Sequence, residues 1–177
     1  EPPMEALTTV VQAAVQSQQP EEMFLPLSHF NPGSRGHPEL CKRPCVYISG
    51  QGVCQLAGAC EYCHYQHRKV KSLEKRQREI LKNLGVGRIL SVLLPHITTR
   101  AETAGLLQRI NPLLRQIRAI STPNAPTDLR PVGRTLSRMP LAGLLALVQT
   151  LAPPDLAQAA QTTLEAMRAE SATGQRR

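Results

Sequence analysis

The chain has 177 residues, which suits one domain or two small ones. Aromatics make up 3% and Trp is absent, so a large core would have to be built from Leu, Ile, Val and Ala, which points to packed helices. A formal net charge of +8 makes polyanions plausible partners without specifying a fold, and no apolar run reaches the roughly 18 residues that a transmembrane helix needs.

In chain order, residues 1–34 read as an amphipathic helix and a linker. Leu7, Val10, Val11, Ala14 and Val15 form a stripe at i, i+3, i+4 spacing between Met4 and Gln19, and Pro20 ends it. This helix either binds a partner or, the expected case, packs on the C-terminal helices. Pro26 and Asn31-Pro32-Gly33 then mark turns. The sequence starts at Glu1 and not at Met, which is expected of a fragment or a processed form. Nucleus or cytoplasm is the expected compartment, with an organelle open if a targeting segment preceded Glu1.

Residues 35–68 form the chemically dense unit. The stretch from Gly36 to Arg68 holds all five cysteines, all three tyrosines and three of the five histidines. An odd number of cysteines fits a disulfide framework poorly. Cys45, Cys54, Cys60 and His64 follow the pattern C-x8-C-x5-C-x3-H. Three thiolates and one imidazole complete the tetrahedral N/S shell of a closed structural Zn²⁺ site. The remaining cysteines and histidines leave several readings open. Cys63 is expected to point away from this metal. Cys41 could substitute for Cys45, or pair with Cys63. His67 is an alternative fourth ligand, although a solvated histidine is the expected reading, and His37 reads as an ordinary loop residue. Cys60-Glu61-Tyr62-Cys63-His64 also matches the C-x-x-C-H haem-attachment pattern, but haem would leave Cys45 and Cys54 unexplained.

The ligand spacing and the residues between ligands resemble the CCCH zinc-finger family. Tyr47 stands two after the first ligand and Tyr62 between the last Cys and His. Gly52 and Gly58 stand two before Cys54 and Cys60, where tight turns call for φ > 0. The lead-in PELCKRP and the exit CHYQHR-x-x-KSLEKRQREIL are similar to a subset of CCCH proteins of unicellular algae. The resemblance is strong over 36–68, weaker over 69–95 and absent elsewhere. It implies a small irregular finger that holds zinc and binds single-stranded RNA, whose bases stack on exposed aromatic rings. Tyr47, Tyr62 and Tyr65 are the stacking candidates. Lys42, Arg43, Arg68 and Lys69 are the phosphate-neutralising candidates. Two departures stand out: Leu56 occupies a position often aromatic in RNA-binding members, and there is one finger where those members frequently carry tandem copies. The tyrosines could equally be a mini-core around the metal.

Residues 69–120 open with a basic helix running from Arg68 to Lys82. Leu73, Gln77, Ile80, Leu81 and Leu84 line one face, and Lys71, Lys75, Arg76, Arg78 and Lys82 lie mostly on the other, with Glu74 and Arg78 as an i, i+4 pair. Helical segments are expected from Arg88 to about Leu94, with Pro95 near its end, from about Arg100 to Ile110, with Asn111-Pro112 either kinking it or starting the next, and from Leu113 to Ile120. Residues 121–133 read as a Pro-rich linker, and 134–177 as a helical hairpin and tail with Pro140 and Pro154 near helix starts. Leu81 through Leu93 matches Leu136 through Val148 at a constant offset, as a duplicated hairpin would, although Leu-rich helices resemble one another anyway.

The expected fold class is mainly α: a small irregular finger flanked by an N-terminal helix and a C-terminal multi-helix region. There is no G-x-S-x-G, Walker loop or H-E-x-x-H, and a four-ligand zinc lacks an open position. A non-enzyme without a small-molecule substrate is therefore expected. Single-stranded RNA is the expected partner, with structural Zn²⁺ as cofactor. The alternative is an assembly subunit in which the finger is a staple and the Leu-rich helices bind protein.

Overall fold

A computed structural model of the chain describes residues 31–67, 72–122 and 129–174. The expected helix over 4–19 and the centre of the Pro-rich linker lie outside the described residues.

The described residues are mainly helical and contain no strand, only an isolated bridge between Pro44 and Cys63. Seven α-helices occur: α1 (Val46–Gln51), α2 (Lys75–Lys82), α3 (Val86–Thr103), α4 (Leu107–Ile120), α5 (Arg130–Leu136), α6 (Leu141–Leu151) and α7 (Pro154–Gly174). α3 packs on α4, α4 on α7, α7 on α6 and α6 on α3, closing a ring of four helices. Their facing stripes form one Leu- and Ile-rich core in which Leu93, Ile97, Ile110, Leu114, Ile117, Leu144, Leu145 and Val148 are fully buried.

The basic helix is shorter than its sequence pattern but keeps its two faces. Leu73 and Leu81 are buried, Ile80, Leu84 and Gln77 are half-buried, and Lys75, Arg76, Arg78 and Lys82 are exposed. Glu74 precedes the first turn, where its backbone N–H donates to Gln77 Oε1 at 3.1 Å. The expected Glu74–Arg78 pair does not occur among the ion pairs of the described residues.

Two prolines behave differently from expectation. α3 runs through Pro95, near which a helix end is expected, and α4 runs through Pro112, where a kink or a new start is expected. An interior proline removes one helical hydrogen bond and crowds the preceding turn. Here both halves of each helix are pinned by burial, with Leu93 and Ile97 on either side of Pro95 and Ile110 and Leu113 on either side of Pro112. The break falls instead at Gly105, whose φ of +67° suits glycine and which separates α3 from α4.

The internal similarity extends to helix borders. α5 begins 55 residues after α2, and α6 begins 55 residues after α3. Leu81 and Leu136, Ile89 and Leu144, Leu90 and Leu145, and Leu93 and Val148 are buried at equivalent places. The correspondence stops where α3 continues to Thr103 while α6 ends at Leu151.

Residues 31–67 attach to this bundle at one place. The Glu39 carboxylate accepts the Leu141 N–H (2.8 Å) and its carbonyl accepts the Ala142 N–H (2.8 Å), satisfying two of the free donors at the start of α6. Arg100 pairs with the same carboxylate at 3.3 Å. Arg168 of α7 donates to the Leu40 carbonyl at 2.6 Å, and Leu40 itself enters the bundle core.

Candidate metal centre

Between Lys42 and His67 the buried residues are Cys45, Cys54, Cys60, Cys63 and His64. A segment of this size cannot bury enough apolar surface to order itself. Its interior is instead made of side chains that ligate metals, and only Ile48 packs on the Cys45, Cys54 and Cys60 cluster from the apolar side.

Short-range geometry brings these side chains together. Cys45 precedes α1, whose end is set by Gly52 in the left-handed region (φ +74°), returning the chain toward Cys54. A second tight turn follows through Ala57–Ala59 before Cys60. Its positive φ falls on Ala57 (+40°) and not, as expected from spacing, on Gly58. The Cys45 N–H donates to the Cys63 carbonyl and the Cys63 N–H to the Arg43 carbonyl, both at 2.8 Å, which clamps the two ends of the loop. The buried Asn31 side chain donates to the carbonyls of Cys60 (2.7 Å) and Tyr62, and Ser34 Oγ accepts the His64 N–H at 2.9 Å. Gly33 passes so close to the backbone of Glu61 and Tyr62 that a Cβ would collide with the Glu61 carbonyl.

The ligand atoms of Cys45, Cys54, Cys60 and His64 all lie within 4.8 Å of one another, and all four residues are buried. Cys45 and Cys60 Sγ are 4.0 Å apart, and the Tyr62 N–H points at Cys60 Sγ from 3.4 Å. Burial pushes the Cys45 thiol up, but the backbone N–H groups of Ile48 and Tyr47 together with the neighbouring Cys54 and Cys60 thiols more than offset it, bringing the group to about 7. Burial pushes the Cys60 thiol up. The N–H donors around Cys45 favour the thiolate, the form in which cysteine binds a cation.

The other cysteines and histidines of the stretch do not scatter. His37, Cys41, Cys63 and His67 form a second group whose ligand atoms also lie within 4.8 Å of one another. Cys63 points away from the first group, as expected. His37 is not an ordinary loop residue and His67 is not simply solvated, because both rings, half-buried, face these sulfurs. Cys41 does not replace Cys45, and all five thiols are free, so Cys41 and Cys63 are not disulfide-linked.

The tyrosines divide. Tyr47 and Tyr62 are 56% and 52% exposed and lie outside any core. Tyr65 is half-buried, with its ring centroid 5.0 Å from that of His37. Lys42 pairs with Glu61 at 3.0 Å, and Arg43 is exposed. Arg68 and Lys69 lie outside the described residues. Lys42, Arg43, Tyr62, Arg78 and Arg168 line a cleft of about 1180 Å³ between the Cys/His-rich segment and α6, together with Glu61 and the apolar Ala142, Ala146 and Leu147.

Comparisons with models of known protein families, with curated proteins and with solved structures each find no match to this chain. No family model therefore confirms a CCCH finger; the described residues show Cys/His groups that could hold a metal. Among the described residues no helix is long and apolar enough to cross a membrane.

Proposed function

We propose that this chain is a non-catalytic, zinc-stabilised protein that binds single-stranded RNA across its metal-ligand segment and the adjoining cleft. Zinc suits the first cluster. With Zn–S bonds of about 2.3 Å, a tetrahedral site has S···S edges of about 3.8 Å, close to the 4.0 Å between Cys45 and Cys60. Three sulfurs and a nitrogen would fill the shell, so the bound ion would supply shape and not a reactive position.

The observation that carries the RNA reading is the placement of Tyr62. It stands half-exposed on a cleft whose charged wall residues are Lys42, Arg43, Arg78 and Arg168 against the single Glu61. A π-face beside unevenly cationic walls is what an unpaired, stacked and phosphate-bearing strand requires. Tyr47 is also exposed, whereas Tyr65 is engaged with His37. The assembly alternative depended on apolar helix faces left for a partner. Leu144 and Leu145, on those Leu-rich helices, are fully buried inside the bundle, and the most exposed large apolar residues, Val46, Val53 and Leu56, lie in the Cys/His-rich segment instead.

The test is a titration of the zinc-loaded chain against short random single-stranded RNA at several salt concentrations. The expected log K falls linearly with log[salt], at roughly −0.7 per phosphate neutralised. Tyr62→Ala and Tyr47→Ala weaken binding while zinc content stays constant. Absence of binding at low salt would sink this reading.

A further inference from the structure

We propose that His37, Cys41, Cys63 and His67 form a second zinc site, separate from the first, that fastens the metal-ligand segment to the helical bundle. This inference does not depend on RNA binding.

The geometry points to a four-coordinate cation. His37 Nδ1 lies 3.6 Å from Cys41 Sγ and 3.5 Å from Cys63 Sγ, and His67 Nε2 lies 3.7 Å from Cys41 Sγ. A tetrahedral zinc with bonds of about 2.3 Å to sulfur and about 2.05 Å to nitrogen has S···N edges of about 3.6 Å. Three separate edges match that length. The two ring nitrogens reach the cluster from opposite ends of the segment, with the rings T-shaped and their centroids 4.7 Å apart. Two borderline nitrogens and two soft sulfurs are a donor set that suits Zn²⁺ and not hard cations.

The ligands come as mirror pairs, His37-x3-Cys41 and Cys63-x3-His67. They enclose those of the first site along the chain and cross them only at the end, where neighbouring Cys63 and His64 belong to different clusters. Two ions held by crossed ligands would lock the loop topology more firmly than two sites in series. The second site also lies against the bundle attachment: Cys41 follows Leu40, which is in the core, and Arg168 Nη2 donates to the Cys41 carbonyl at 3.5 Å. The second ion would therefore fix the orientation of the cleft between segment and bundle. All five cysteines and three of the five histidines then have a ligand role.

The test is a Co²⁺ titration of the metal-stripped full chain, read by absorption, together with native mass spectrometry of the zinc-loaded form. Two equivalents per chain are expected. One should carry the stronger charge-transfer absorption of three thiolates and the other the weaker absorption of two. His67→Ala and Cys41→Ser should each lose the second equivalent and keep the three-thiolate spectrum. Saturation of the unmodified chain at one equivalent overturns the proposal, whatever the variants do. A second equivalent that survives both substitutions overturns it too.

Discussion

Two regions of this chain solve the problem of holding a shape by opposite means. The bundle of α3, α4, α6 and α7 buries Leu, Ile and Val side chains in one continuous core. Residues 42–67 bury five side chains, four sulfurs and one imidazole, and leave Val46, Val53 and Leu56 more than 60% exposed. Apolar burial is distributed and tolerant of small changes. Metal ligation concentrates the stabilisation in a few bonds and fails as a unit. The same molecule should therefore respond to a chelator and to a core truncation in different places.

Metal removal should have the largest effect. Structural zinc binding corresponds to about 10–16 kcal/mol of apparent free energy in small zinc domains. Chelation, or Cys54→Ser, should unfold the segment around the first cluster while far-UV dichroism keeps most of its helical signal. A proportional collapse of the whole helical signal would show that the two regions form one cooperative unit. Core truncation should come next and reverse the pattern. Leu144→Ala is expected to cost about 2–5 kcal/mol in denaturant unfolding of the bundle and to leave zinc stoichiometry unchanged.

Intermediate effects should come from the polar scaffold around the ligands. Asn31→Ala removes the donor to two carbonyls and should cost about 1–3 kcal/mol, read as easier extraction of the metal by a chelator. Tyr62→Ala should weaken RNA binding by about 1–3 kcal/mol per base stacked and change thermal stability little, since the ring is half-exposed. The smallest effect is expected for Lys42→Ala. Its ion pair with Glu61 is on the surface and contributes about 1 kcal/mol or less, so melting should barely move while the salt slope of RNA binding becomes shallower.

The two regions also differed in how much of them could be read in advance. Cys45, Cys54, Cys60 and His64 were legible because their spacing is local and their chemistry specific. The second cluster was harder to see because its ligands lie at the two ends of the stretch, with the first site between them. The signal was present as overlapping C-x3-H pairs, Cys60 with His64 and Cys63 with His67, and as His37 four residues before Cys41. In the bundle, apolar periodicity locates the helices, but Pro95 in the sequence suggests a helix end that the fold does not have. Tertiary burial on both sides outweighs a single lost hydrogen bond. The docking of Glu39 on α6 and of Arg168 on Leu40 joins residues about 100 or more positions apart, which no local pattern encodes.

If bound metal, and not an apolar interior, shapes the middle of the chain, its amides should be protected only while the metal is present. Residue-resolved hydrogen exchange on zinc-loaded and chelated protein tests it most directly. Amides of Cys45, Ser49, Gly52 and Cys63 should lose protection on chelation, while those within α3, α4, α6 and α7 keep theirs. Unchanged protection at those four amides after verified zinc removal would contradict the account.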